Sequence, residues 1–463
     1  MGAEITPPKS LGGVKGSVAE PTMSNAPQGI PARRRLTLFD VVCIGVNATV
    51  GSGVFALPDD VYREMGGYSP LAFAVCALLL LPVSLCMAEL AARTEETGGP
   101  YVYARRAFGE EVAFVVGWFC WIATLVSWAA VTTLFIEIVG VRGVPAKAAG
   151  AAMILVLGAI NYVGVKPGAA LVNIVTVGKL AAIFAFVGVG LFRMKTERLG
   201  GAVPDLRHIG AGVYITLFPL QGFEVAPVTA GETRNPRRNV PLGTVGALVF
   251  SAVLYVIVQS VLVAAYPGLG TKTDTPFQDA ARYLGPTIAL VVLIGSMVST
   301  AGFTAGSALG SPRYAEAMAN DGILPKVLSR IHPRFRTPHV AIVVTAVLAA
   351  ALVLPFDYRM LVGVANVTVV CQYVFSCLAV PVLRRKQPED AAKWRVPGGL
   401  SLPLLGAVGS ASLLLFVSRG EWLFSGGSLV VGAALYLWVR RSRPAAEVPQ
   451  ERRDGAADPP KID

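Results

Sequence analysis

The chain has 463 residues, of which 54% are apolar and 15% charged, with a formal net charge of +11. A soluble domain is about a quarter charged, whereas this apolar content suffices for about twelve membrane helices of about 20 residues each. Soluble enzymes, disordered scaffolds and secreted disulfide-bonded domains are thereby excluded.

Residues 1–35 are rich in Pro, Gly, Ser and Lys and hold no apolar core of a signal peptide; they read as a disordered cytoplasmic tail ending in Arg33, Arg34 and Arg35. Apolar runs follow at 37–62, 68–92, 111–139, 146–165, 168–192 and 210–232, and then at 239–265, 286–318, 338–355, 358–383, 400–418 and 422–439. The expected fold is an all-α membrane protein of about 12 transmembrane helices, closed by a polar cytoplasmic tail over 442–463. Of the 40 Lys and Arg residues, 28 fall on the side of the two tails and 11 on the other, with Lys179 inside a span. That bias puts both termini in the cytoplasm. The basic residues lie in short clusters between spans rather than on one exposed face, so membrane lipid is the expected partner and nucleic acid is not. The six cysteines lie in apolar runs without metal or disulfide spacing, and His332 and His339 flank a Pro/Arg-rich loop. No metal, cofactor or catalytic residue is expected.

Two spans are interrupted. The first carries Gly51-Ser52-Gly53-Val54-Phe55 followed by Pro58, and the sixth carries Phe218-Pro219-Leu220-Gln221-Gly222-Phe223-Glu224 followed by Pro227. A mid-span glycine weakens a helix by about 1 kcal/mol relative to alanine. Backbone groups freed at membrane depth need protein, water or ligand as partners. Packing of small residues is the plain reading of either segment alone. The pair, however, opens the first and second groups of five spans, which is the pattern of a transporter site built from inverted repeats. Half-helix N-termini suit a carboxylate and unwound carbonyls suit an ammonium, so an α-amino acid matches both.

These segments, with Gly98-Gly99-Pro100-Tyr101-Val102-Tyr103, Gly231-Glu232-Thr233-Arg234-Asn235-Pro236-Arg237-Arg238-Asn239-Val240-Pro241 and Asn320-Asp321-Gly322-Ile323-Leu324-Pro325, resemble the amino acid–polyamine–organocation transporter superfamily. The likeness is to its bacterial cationic amino acid transporter and L-type exchanger branch. The resemblance implies two inverted repeats, 36–195 and 196–397, with two further helices over 398–441 and with helices 1 and 6 broken. It also implies that Gly51, Ser52 and Gly53 form the carboxylate site, with Ser52 and Gly53 holding the group through hydroxyl and backbone N–H. The carbonyls of Thr49, Phe218 and Gln221 would receive the ammonium. The Phe218 ring would gate the site, Thr124 and Phe303 would line the side-chain pocket, and Glu224 would couple the broken helix to gating.

Lys179 lies in Asn173-Ile174-Val175-Thr176-Val177-Gly178-Lys179, about 16 Å from either end of its run at the helical rise. Intramembrane lysines are costly and face a partner or a cavity. The resemblance puts it where sodium-coupled relatives hold their cation, near Ser299 and Thr300. The expectation is a sodium-independent, proton-coupled secondary active amino acid transporter that works by alternating access. An obligatory exchanger and a non-transporting amino acid sensor of the same fold are the alternatives. A proton is the second expected partner, the bacterial inner membrane the expected location, and the oligomeric state is not legible. Glu89 and Glu316 are expected to pair with arginines such as Arg93, Arg237 or Arg313, as an inner gate or as solvated surface pairs.

Overall fold

Residues 36–93, 99–164, 169–386 and 395–442 are described by the computed structural model, and among them the only bridge outside helices and turns joins Leu36 to Thr233. The tails expected at 1–35 and beyond Ser442, together with Gly98 and Lys166, lie outside these residues. The first span comprises α1 (Leu38–Thr49), α2 (Gly53–Ala56) and α3 (Pro58–Met65); the second is α4 (Ser69–Arg93). A short α5 (Pro100–Phe108) precedes α6 (Glu110–Val139), α7 (Val144–Val163) and α8 (Ala169–Leu191), the third to fifth spans. The sixth is α9 (Leu206–Leu220), continued by a 3-10 segment, Phe223–Glu232. Then come α10 (Pro236–Ala265), the short α11 (Pro276–Leu284), α12 (Pro286–Asn320), α13 (His339–Val353), α14 (Tyr358–Lys386), α15 (Ser401–Ser412) and α16 (Arg419–Arg441).

Helix starts follow local chemistry. Proline occupies the first turn of α3, α5, α10, α11 and α12, where its missing N–H leaves no bond unmade. Reciprocal side-chain caps begin α1 (Thr37 with Asp40) and α16 (Ser418 with Glu421). The Asp205 side chain caps α9, which therefore begins at Leu206 rather than at 210 as its apolar run suggests. The short helices α5 and α11 were not expected, because each is too short and too polar to register as a span.

Among the described residues ten helical segments are long and apolar enough to cross a membrane, and two shorter apolar ones, His339–Val353 and Ser401–Phe416, bring the number to twelve. Leu78, Val156, Ile174, Val408 and Val430 point outward, as side chains in lipid must. The chain is a multi-pass membrane protein. Trp118, Trp121 and Trp128 pack inside, while Trp422 and Trp438 lie on the outer surface. Each of the first four spans packs against the span five places later: α1 to α3 against the sixth, α4 against α10, α6 against α12, and α7 against α13.

With an even number of spans the described chain starts and ends on one side, termed the near face. There Glu89 is fully buried at the end of α4 and accepts from Arg93 at 2.9–3.0 Å, Arg384 at 2.6–2.9 Å and the Val396 N–H at 2.7 Å. It is therefore no solvated surface pair, and its cross-helix partner is Arg384 rather than Arg237 or Arg313. Glu316 pairs with Arg313 on its own helix at 3.0 Å. The Tyr101 hydroxyl donates to Asp321 at 2.5 Å, and Arg105 pairs with the same carboxylate. Burial and that carboxylate push the Tyr101 phenol up, so it stays a donor at any physiological pH.

Candidate functional site

The site begins where α1 stops. Its helix runs to Thr49, the chain unwinds through Val50 and Gly51, and helical structure resumes at Gly53 after Ser52. The N–H groups that open α2 lack intrahelical acceptors, as at any helix start. In the sixth span α9 ends at Leu220, Gln221 is extended, and Gly222 takes φ +115°. Pro219 remains inside the helix, so the rupture lies at Gln221 and Gly222 rather than at the proline.

The two breaks are pressed together. A Cβ on Gly222 would lie 2.4 Å from the Ala48 carbonyl carbon and 2.5 Å from the Thr49 nitrogen. One on Gly53 would lie 2.8 Å from Pro219 Cα and 2.6 Å from its ring. Only glycine fits either place, and at Gly222 the positive φ adds a second reason. A helix end with unpaired donors thus meets one with unpaired acceptors.

Ser52, Phe218, Gln221, Glu224 and Phe303 lie at this contact. Ser52 is buried, and its Oγ accepts from the Tyr358 hydroxyl at 3.1 Å. The Tyr358 ring stands at 6.3 Å and 87° from Phe218. Phe303 packs beside Gly51, its ring 3.5 Å from where a Cβ would be. The Thr124 hydroxyl donates to the Trp121 carbonyl at 2.8 Å within its own helix. The Thr49 carbonyl accepts from the Tyr255 hydroxyl at 2.9 Å and the Gly51 N–H at 2.8 Å, which uses both its lone pairs. It has no remaining lone pair for an ammonium in this conformation. The Phe218 carbonyl takes one bond, from the Gln221 N–H at 3.3 Å. The Gln221 amide donates to Asn366 at 2.6 Å, and Asn366 to the Tyr214 carbonyl at 3.1 Å, tying the break to α14. Glu224 accepts from the Gly222 N–H at 2.8 Å and the Tyr373 hydroxyl at 3.2 Å, so its carboxylate braces the break from within.

Lys179 is fully buried, and its ammonium donates to the carbonyls of Asn47 at 2.8 Å and Val50 at 2.6 Å. These groups lie at the negative end of α1, where a cation is favoured. Ser299 reaches the same Val50 carbonyl at 3.4 Å, whereas the Thr300 hydroxyl turns to its own helix at Ser296, 2.7 Å away. Lysine and serine therefore share the end of α1, and Thr300 stands beside them without joining.

Tyr358, Tyr255 and Asn366 were missed by sequence reasoning. Tyr255 and Asn366 were visible as polar groups inside apolar runs and Tyr358 stands between Asp357 and Arg359 at the start of one, but nothing in the sequence said which break each would reach. On the far face, Arg359 forms a bridge from α14 to Asp60 at 3.0–3.1 Å, to Asp274 at 3.0 Å and to the Thr273 carbonyl at 3.3 Å. With Tyr358 over Ser52, this ties α3 and α14 together above the breaks. Tyr358→Phe removes a neutral hydrogen bond worth about 0.5–1.5 kcal/mol. The bond is already formed in this conformation, so its loss is expected to lower the melting temperature by a few degrees at most, read by fluorescence-monitored melting.

Comparison with known proteins places these features. Residues 36–438 match the amino acid permease family. A methylthioribose transporter of Bacillus subtilis is 25% identical over 443 residues, covering 91% of this chain and 96% of the relative. A vacuolar cationic amino acid transporter of Arabidopsis thaliana is 30% identical over 385 residues, covering 77% of this chain and 64% of that longer protein. A serine/threonine exchanger of Bacillus subtilis is 26% identical over 420 residues, covering 87% and 95%.

Proposed function

Because the chain belongs to the amino acid permease family, we propose that it is a secondary active amino acid transporter that works by alternating access, needs no sodium and moves a proton with its substrate. The observation that carries this reading is the seam between the two breaks, where Gly222 lies on Ala48–Thr49 and Gly53 on Pro219. Donor-rich and acceptor-rich backbone meet there, complementary to a carboxylate and an ammonium on one carbon. The Ser52 hydroxyl and the Gly53 N–H hold the carboxylate beside Gly51, and the carbonyls of Phe218 and Gln221 take the ammonium. Phe218 closes over the bound molecule, with Thr124 and Phe303 against its side chain. That wall is neutral, which favours small or medium neutral amino acids. The repeats 36–195 and 196–397 rock against each other, with helices 398–441 outside the cycle. The near face, enriched in Lys and Arg, is cytoplasmic, and the membrane is the plasma membrane.

Lys179 takes the part of the coupling ion. A fixed ammonium at the carbonyl end of α1 supplies the charge that a bound sodium supplies elsewhere, and loss of its proton loosens that end. A second reading, obligatory exchange, draws on the same geometry. Two short bonds to carbonyls, which can only accept, favour a lysine that keeps its proton throughout the cycle. Purified protein in liposomes separates the two. Under an inward proton gradient, at equal sodium on both sides, radiolabelled amino acid is expected to accumulate at least about fivefold above equilibrium, with sodium replacement without effect. Counterflow without any response to the gradient supports exchange, and no movement in either assay overturns transport altogether.

A further inference from the structure

The seam between α1 and α8 carries polar groups that the substrate site does not use. The two helices run parallel from the near face, and their facing stripes match in register. Asp40, Cys43 and Asn47 lie on α1, and Asn173, Thr176 and Lys179 on α8. At the mouth, the Asn173 amide donates to Asp40 Oδ1 at 2.8 Å, and Thr37 holds the other carboxylate oxygen. At the inner end, Lys179 meets the Asn47 carbonyl. Between them, the side-chain oxygens of Asn47 and Asn173 are both buried with no donor in reach among the described residues. A buried amide oxygen left unpaired costs about 1–3 kcal/mol, so these two call for water. The distance from Asp40 to Asn47 is about 10 Å at the helical rise, a span that a few waters bridge.

We propose that this seam is the proton's path between Lys179 and the near face, with Asp40 as the group at its mouth and the Asn47 and Asn173 carboxamides ordering the water within. The proposal rests on the proton-coupled reading above. In the step, an N–H bond of the Lys179 ammonium breaks and its proton passes through seam water to a carboxylate oxygen of Asp40. The lysine becomes a neutral amine and the aspartate a neutral acid, which then delivers the proton to near-face water. The neighbouring elements supply few competitors. Tyr255 on α10 donates to Thr49, α12 has no charged residue before Arg313 and Glu316 at its near end, and Asp279 and Arg282 of α11 lie at the far end. Arg234 is the cation acting on Asp40, and Cys43 lies beside it.

The test compares wild type, Asn173→Leu, Asn173→Ser and Asp40→Asn in liposomes, measuring gradient-driven accumulation and, at equal pH, counterflow. Asn173→Leu and Asp40→Asn are expected to lose accumulation by about tenfold while counterflow stays within about twofold of wild type. Asn173→Ser, which can still bind water, is expected to recover most of it. Asp40→Asn adds no bulk and carries the test if the leucine variant does not fold. Wild-type accumulation in folded Asn173→Leu or in Asp40→Asn overturns the path but leaves proton coupling standing, as does parallel loss of counterflow. A wild type that ignores the gradient overturns proton coupling itself.

Discussion

Gly222→Ala is expected to abolish uptake and to lower the melting temperature markedly. The added methyl has nowhere to go, because its neighbours at 2.4–2.6 Å are backbone atoms of Ala48 and Thr49, which cannot rotate away as a side chain would. The φ of +115° compounds the overlap, since an L-residue there is strained by about 1–3 kcal/mol. Overpacking adds about 1–3 kcal/mol more. The chain can relieve both only by moving the sixth span off the first, which separates donors from acceptors at the seam. Gly178 is the control: it is exposed on α8, a methyl there would meet no atom within 4 Å, and its alanine variant should transport normally. Radiolabelled uptake and fluorescence-monitored melting check the pair. Wild-type uptake by Gly222→Ala would mean that the breaks do not work in contact.

Lys179→Met is expected to reduce gradient-driven accumulation to equilibrium while slower counterflow persists. The thioether fills much of the space but donates nothing, so the Asn47 carbonyl loses its lysine partner and the Val50 carbonyl keeps only the long bond from Ser299 at 3.4 Å. Each buried acceptor left unsatisfied costs about 1–3 kcal/mol, which lowers the melting temperature as well. Lys179→Arg divides the two roles. A guanidinium donates to both carbonyls but does not give up its proton in a protein. It should therefore restore stability and counterflow relative to methionine and leave accumulation at equilibrium. Accumulation by Lys179→Met at the wild-type level would assign the proton to another group.

Both ruptures were legible in the sequence because helix-breaking residues inside apolar runs free backbone groups that lipid cannot satisfy. Lys179 stood out for a similar reason, being a basic residue far from both ends of its span. Details were not legible where a residue's role depends on the helix opposite. Pro219 looks like the breaking residue in isolation, yet it stays helical, and the chain departs at Gly222, where Ala48 requires a residue without Cβ. The Thr49 carbonyl looks available until Tyr255, 206 residues away, is folded onto it. Glu89 reads as a surface acid near a helix end, but Arg384 and the Val396 N–H come to it from 295 and 307 residues away and enclose it. Local chemistry announces an interruption, whereas tertiary approach decides which of its atoms remain available.

The interlock of Gly222 on Ala48 and of Gly53 on Pro219 makes side-chain volume a quantity shared between the two halves of the chain. Bulk gained on one side has to be surrendered on the other, so drift at these four positions is expected to be concerted. A pocket assembled in this way can exchange its lining residues from one descendant to another, because the joint beneath them is constrained separately from the cargo.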